Sequence, residues 1–115
     1  MRVALIAFAA LASTSFAQPT PTIERVPQFE TDAVRCWKSI IPAGAQSALH
    51  RHDRGRTVVG LSGGELKTVT ADGEATVHRF DAGKAYWLDA DPPGQQHRDV
   101  NDTTKTIEVI VVELK

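Results

Sequence analysis

The strongest constraint on the fold is a succession of short, β-rich segments separated by turn signals. Valine, isoleucine, threonine and aromatic residues recur in short runs, and turns such as Gly63-Gly64 and Asp72-Gly73 lie between them. From residue 29 onward, no segment combines the length and the apolar spacing of an amphipathic helix. The pattern therefore predicts an almost entirely β domain.

Eight strands account for these runs. The predicted strands cover residues 33–41, 46–52, 57–62, 65–70, 75–80, 85–88, 97–100 and 106–114. Tight hairpin turns need positive φ, so Gly63-Gly64 predicts a hairpin between its flanking strands. The last strand is apolar on both faces, so one face would pack inside a barrel and the other against a second sheet or a second subunit. We predict a single antiparallel β-barrel or jelly roll, with a homodimer and burial inside the monomer both open.

The first 17 residues have the pattern of an export signal. Arg2 supplies a positive start, residues 3–12 form an apolar run, and Ser15-Phe16-Ala17 is a small-x-small cleavage site. The run is shorter than the ~20 apolar residues that span a bilayer. We therefore expect a periplasmic or secreted protein with no membrane attachment after cleavage. Residues 18–28 are rich in proline and predict a flexible lead-in, and residues 29–115 form the barrel domain.

Charge and cysteine content exclude some functions. The chain has 13 Lys+Arg against 14 Asp+Glu, and one basic residue is Arg2 of the signal, so the mature protein carries a net charge of about −2. This charge provides no electrostatic footprint for nucleic acid or an anionic membrane. Cys36 is the single cysteine, so no internal disulfide stabilises the fold, and a buried apolar role is favoured for it.

Three of the four histidines have a spacing that suits a metal site. His50 and His52 are one residue apart, so on a strand both imidazoles point to the same face. His97 follows Pro92-Pro93-Gly94 and would supply a third nitrogen from a distant strand. We predict that these histidines bind a divalent transition metal, and imidazole suits Fe, Zn, Ni and Cu alike.

The residues around the histidines follow two spaced patterns. The first is Gly44, five residues, His50, one residue, His52, three residues, Arg56, six residues, Gly63; the second is Pro92, one residue, Gly94, two residues, His97, three residues, Asn101. Over roughly residues 34–115 they resemble the two motifs of the cupin superfamily. The resemblance implies a small cupin-like (RmlC-like) β-barrel that holds a metal between the motifs. Residues 61–115 also resemble single-domain cupins, some of which are associated with β-alanine catabolism.

The first pattern departs from the cupin motif at Arg56, where a glutamate ligand is usual. Arginine stays protonated and cannot coordinate a metal. Three neutral imidazoles would leave the charge of a divalent metal uncompensated, so the site should attract a small anionic ligand that Arg56 holds in bidentate fashion. Alternatively, Arg56 faces outward and pairs with Asp53 or Asp81. In the second pattern eight residues separate Gly83 from Pro92 instead of five, which predicts a longer turn.

Other residues near the motifs are candidates for the site. Asp99 has the same strand parity as His97 and is the preferred alternative ligand, whereas Asp53 should point away. Tyr86 and Trp87 directly precede the second motif and are candidate substrate-binding residues. One of them should face inward, where it would contact a substrate or line the core. His78 belongs to neither motif and is predicted to be an ordinary strand residue.

Three functions fit this pattern. The first is an exported metal-dependent enzyme, such as a dioxygenase, lyase or isomerase, acting on a small anionic metabolite. Three-histidine iron sites occur among cupin-fold dioxygenases for thiols and diketones, so the resemblance implies this chemistry. The second is a non-catalytic module that binds a metal or small ligand in the same pocket, because fold alone does not settle function. The third is a structural barrel with no ligand.

Overall fold

The computed structural model describes residues 3–7, 9–10 and 19–115, and these contain eight β-strands. Their bounds are β1 Glu24–Glu30, β2 Val34–Ile41, β3 Arg56–Gly60, β4 Gly64–Thr70, β5 Ala75–Phe80, β6 Ala85–Leu88, β7 His97–Val100 and β8 Ile107–Leu114. The predicted signal cleavage site, Ser15-Phe16-Ala17, lies outside the described residues. Within the described ranges there is no helix with the length and hydropathy to cross a bilayer.

The strands form two antiparallel sheets around one core. The larger sheet has the order β1-β2-β8-β3-β6, and the smaller sheet has the order β5-β4-β7. All the pairings within these sheets are antiparallel. Two such sheets that pack face to face form a jelly-roll barrel. The all-β, antiparallel fold predicted from the sequence is confirmed.

Side chains alternate between core and surface along β8, in the middle of the larger sheet. Ile107, Val109 and Val111 are buried, and the residues between them are half-buried. Leu66 and Phe80 of the smaller sheet belong to the same buried cluster. The period-two pattern of β8 thus directs one of its faces into the core that the two sheets share.

The first strand differs from the expected architecture. Residues 24–28, predicted to belong to a flexible lead-in, instead form most of β1 and pair with β2. Pro27 is tolerated because β1 lies at the edge of its sheet and its register shifts between Pro27 and Phe29. The folded domain therefore begins at about Glu24 rather than Phe29.

Gly63 and Gly64 carry the chain from one sheet to the other. Both have positive φ, 73° and 143° respectively, as a sharp turn requires. However, β3 and β4 belong to different sheets and do not pair. The predicted hairpin was wrong, because positive φ permits a bend without determining which strands pair after it. Asp72-Gly73, in contrast, joins β4 and β5, which do pair.

The segment before β3 is irregular where a strand over residues 46–52 was expected. Isolated bridges join Gln46 to Val100 and His50 to His97, and no continuous ladder forms. The Ala48 carbonyl accepts a hydrogen bond from the His50 imidazole at 2.9 Å, so side-chain bonding replaces strand pairing there. This local geometry places His50 beside β7.

Candidate metal centre

The fold brings the three predicted histidines together. Their candidate ligand atoms all lie within 4.8 Å of one another, although His50 and His52 precede β3 and His97 begins β7. Two backbone hydrogen bonds of 2.8 Å each join His50 and His97 in both directions. His52 and His97 are buried, and His50 is half-buried. Three convergent imidazoles of this kind can bind a metal.

Each imidazole is oriented by an acceptor at its Nδ1 atom. His50 Nδ1 lies 2.9 Å from the Ala48 carbonyl, and His52 Nδ1 lies 2.5 Å from a Glu113 carboxylate oxygen. His97 Nδ1 lies 3.2 Å from Asp91 Oδ2. These contacts are the outer-shell contacts that fix tautomer and ring orientation in metal sites. They leave the three Nε2 atoms for coordination.

Two of the Nε2 atoms lack any partner. Those of His50 and His97 are buried and make no hydrogen bond within the described structure. A buried polar atom without a hydrogen bond is costly and needs an explanation. A metal ion bound between the imidazoles would satisfy both nitrogens, so the donor set fits such an ion.

Burial also favours the protonation state that a metal requires. It lowers the pKa of His52 and His97 below their usual value, although Glu113 and Asp91 respectively oppose the shift. A lowered pKa keeps both rings neutral near pH 7. Neutral imidazole is the form that coordinates a metal.

The sequence patterns did not identify two carboxylates of the centre, Glu113 and Asp91. Glu113 follows the inward-facing apolar residues of β8 in phase, so its charge at a core-facing position was an available signal. Asp91 accepts a 2.7 Å hydrogen bond from the backbone N–H of His52 and also contacts His97. Its loop position before Pro92 gave no periodic signal. Both residues orient histidines that the sequence did identify.

Arg56 faces inward and is only 8% exposed. Its one side-chain hydrogen bond is long, 3.4 Å from Nη1 to the Asp89 carbonyl, and no carboxylate of the described chain lies within 4.0 Å. Burial lowers the Arg56 pKa more than the charges of the nearby carboxylates raise it. The outward alternative is not observed, because the proposed partners Asp53 and Asp81 pair with other residues. The guanidinium is therefore buried without a counterion.

Arg56 lies between two cavities that reach the histidines. An inner cavity of about 60 Å³ also contacts His52 and His78. An outer cavity of about 400 Å³ also contacts His97 and Trp87. The walls of the inner cavity are largely apolar side chains from both sheets, namely Val58, Leu66, Phe80, Leu88, Val109 and Val111. A small ligand could enter from the outer cavity and meet Arg56 beside the three histidines.

His78 has more contact with this region than the sequence suggested. It lines both cavities, and its Nε2 lies 3.2 Å from Thr68 Oγ1. Burial lowers its pKa, and the positive charge of Arg56 adds to the effect. Its inward parity on β5, shared with Phe80, was the signal that could have identified it.

Tyr86 and Trp87 occupy different environments. Tyr86 packs against the core, and its hydroxyl accepts a 2.9 Å hydrogen bond from the Asp81 N–H. Trp87 is 55% exposed, donates to Asp89 at 2.9 Å, and borders the outer cavity. Substrate contact by either residue stays a prediction, and Trp87 is the better placed of the two.

Comparison with protein-family models gave no match, and neither did comparison with curated protein sequences. Solved structures with a similar fold were found. A cupin domain from Bordetella pertussis has a TM-score of 0.73 and 21% identity, covering 86% of this chain and 99% of that chain. A Klebsiella pneumoniae protein with a double-stranded β-helix domain has a TM-score of 0.62 and 22% identity, covering 85% of this chain and 81% of that chain.

A third structure supports the same fold from a distant organism. An RmlC-like cupin family protein from Methanocaldococcus jannaschii has a TM-score of 0.61 and 17% identity, covering 92% of this chain and 93% of that chain. These similarities concern the fold, so the resemblance to cupins of β-alanine catabolism stays a prediction. The double-stranded β-helix and the two sheets enclosing the three histidines show that this chain has the cupin fold.

Proposed function

We propose that the protein binds a divalent transition metal through His50, His52 and His97 and uses it to act on a small anionic metabolite. One observation carries this proposal: each Nδ1 contacts an oxygen acceptor, while the Nε2 atoms of His50 and His97 are buried without a partner. Structural histidines usually satisfy both nitrogens. Metal ligands satisfy one nitrogen with an acceptor and the other with the metal.

The charges around the centre support cation binding. Asp91, Asp99 and Glu113 contact the three imidazoles, and Arg56 is the buried cation nearby. With neutral histidines these four charged groups sum to −2, which a divalent ion would neutralise. The sequence suggested a metal whose charge is uncompensated, and these carboxylates remove that reason for anion attraction. The anion preference therefore rests on Arg56 alone.

Arg56 would bind and orient the anionic group. A guanidinium matches a carboxylate with two parallel hydrogen bonds, and Arg56 has only one weak protein partner. The apolar wall of the inner cavity would exclude water from the remainder of the ligand. When bound, a redox-active metal would supply oxygenase-like chemistry and a redox-inert one would polarise the ligand.

The alternative is a module that binds metal or ligand without catalysis. Its support is that Asp91 and Glu113, two carboxylates beside the imidazoles, each contact a histidine and are not free to act as a base. Among the described residues that line the inner cavity, His78 is a titratable group outside the triad and its contacting carboxylates. Turnover or oxygen consumption with small carboxylates would favour the enzyme, and metal binding with no turnover would favour the module.

Metal content tests the proposal directly. The wild-type protein should hold close to one equivalent of Fe, Zn, Ni or Cu by elemental analysis, and His97→Ala should lose it. His78→Ala is the matched control, because it removes a nearby imidazole without removing a proposed ligand. A folded wild-type protein that takes up no metal on reconstitution would leave a ligand-binding module or a structural barrel as the function.

The predicted export signal supports a location outside the cytoplasm. We propose that residues 1–17 are removed and that the mature protein, beginning at Gln18, is periplasmic or secreted. Intact mass measurement on the exported fraction tests this. A product that retains residues 1–17 would contradict it.

A further inference from the structure

We infer that Asp99 is a fourth ligand of the metal centre and replaces the carboxylate that the first motif lacks at Arg56. The inference rests on the proposed metal function and adds a residue to it. Asp99 lies on β7, two residues after His97, so both side chains point to the interior face of the smaller sheet. It also borders the inner cavity next to His52 and Arg56.

The Asp99 carboxylate faces the two Nε2 atoms that have no partner. Asp99 Oδ2 lies 3.6 Å from His50 Nε2, and Asp99 Oδ1 lies 3.7 Å from His97 Nε2. Both separations exceed a hydrogen bond. They are close to the spacing between ligands that share one ion, since tetrahedral bonds of ~2.0–2.1 Å put neighbouring ligand atoms about 3.4 Å apart.

The contacts at Nδ1 determine which form of each imidazole faces Asp99. The Ala48 carbonyl can only accept, so His50 Nδ1 carries a proton, and a neutral ring then presents a lone pair at Nε2. Asp91 Oδ2, 3.2 Å from His97 Nδ1, favours the same tautomer there. Each Nε2 lone pair therefore faces an oxygen of Asp99, which also offers only lone pairs when ionised.

Acceptors that face one another across 3.6–3.7 Å need a cation between them. The two candidates are a metal ion shared by the three groups and a proton shared between imidazole and carboxylate. A shared proton would draw nitrogen and oxygen to hydrogen-bond distance, and both separations are longer than that. The metal satisfies both nitrogens and the carboxylate together.

The backbone around Asp99 holds the carboxylate in place. Its N–H donates to Ser47 Oγ at 2.8 Å, and its carbonyl accepts from the Ser47 N–H at 2.9 Å. Ser47 belongs to the segment that also carries His50. The same contacts thus tie Asp99 to a ligand from the first motif.

Binding of Co²⁺ and Zn²⁺ to the metal-free protein tests the inference without any assay of activity. Asp99→Asn keeps the size of the side chain and removes its charge. We expect it to weaken binding at least 10–100-fold, the range seen for groups that support metal ligands, and to change the visible spectrum of bound Co²⁺. Asp102→Asn, an exposed carboxylate on the following loop, should bind like the wild type.

The variants distinguish this inference from the proposed function. If Asp99→Asn and Asp99→Ala keep wild-type affinity and the wild-type Co²⁺ spectrum while His97→Ala loses binding, the centre stands and Asp99 is not a ligand. The variants would also behave in this way if Asp99 shared a proton with an imidazole instead of binding the metal. If the wild type does not bind either ion, or His97→Ala binds as tightly as the wild type, the three-histidine centre itself is wrong.

Discussion

At the scale of single residues, Arg56 shows how a functional site differs from an optimally stable core. Its charge is buried, and its one side-chain hydrogen bond is long. Burial lowers its pKa more than the charges of Asp91, Asp99 and Glu113 raise it. A buried ion that lacks close partners costs several kcal/mol in desolvation. Retaining it has a physical reason if a ligand supplies the missing counterion.

Replacing Arg56 should therefore not destabilise the metal-free protein. Arg56→Met retains most of the volume and removes the charge, and we expect the free energy of unfolding to stay unchanged or to rise by about 1–2 kcal/mol. Urea denaturation at neutral pH measures it, with the exposed Arg54→Met as control. A loss above about 1 kcal/mol would show that attraction to the carboxylates outweighs desolvation.

The residues of the site were predictable to different degrees. The spacing of His50 and His52 and the position of His97 identified the triad, and strand parity placed Asp99 on the inward face. Parity worked for Asp99 because β7 is a regular strand. Glu113 shares the inward parity of β8, but nothing in the nearby sequence indicates that it contacts His52.

At the scale of elements, two glycines at the ends of β3 lie so close to neighbouring atoms that a Cβ would collide with them. A Cβ on Gly60 would lie 2.2 Å from the Asp81 carbonyl oxygen, whereas a Cβ on Gly55 would lie 2.2 Å from a ring atom of Trp87. The first obstacle is backbone that forms part of the connection between β5 and β6. The second is a largely exposed side chain that can move.

The two glycines should therefore respond differently to alanine. Gly60→Ala must displace backbone, and we expect a loss of about 1–3 kcal/mol in the free energy of unfolding. Gly55→Ala, the matched control, should lose less because Trp87 can change rotamer. Chemical denaturation of both variants tests this, and equal losses would show that Trp87 is held as firmly as the backbone.

Strand locations were more predictable than strand pairing. The ranges 75–80, 85–88 and 97–100 agree with β5, β6 and β7, because alternation and turn residues act locally. The partner of each strand depends on contacts across the barrel. This dependence explains why Gly63-Gly64 forms a corner between sheets and why β1 forms despite its proline.

At the scale of the whole molecule, the buried histidines make stability depend on pH. Burial lowers the pKa of His52, His78 and His97. Below about pH 6.5, the usual pKa of histidine, the unfolded chain therefore binds more protons than the folded protein does. Stability is therefore greatest above that pH and falls as the pH decreases through and below it.

Urea denaturation of the metal-free protein between pH 7.5 and pH 5 should follow this dependence. We expect the free energy of unfolding to decrease as the solution is acidified over this range. His78→Gln, outside the triad, should reduce the slope while leaving the proposed ligands intact. A flat profile for the wild type would mean that the carboxylates near His52 and His97 compensate fully for burial.

The outer face of the larger sheet provides the last prediction. The second sheet covers only its inner face, so Ile110 and Val112 stay half-buried and Phe29 is 55% exposed. The monomer therefore buries this face only in part. A two-fold dimer would bury the same apolar patch on both chains.

We expect the mature protein to be a homodimer through this face. Light scattering after size exclusion should give twice the monomer mass, because removing an apolar sheet face from water favours association. Val112→Glu should yield a folded monomer, since a charge would be buried at the centre of the interface. Val77→Glu, on an exposed position of the smaller sheet, should remain dimeric. A wild-type monomer at high concentration would contradict the dimer, and dissociation by Val77→Glu alone would assign the interface to another face.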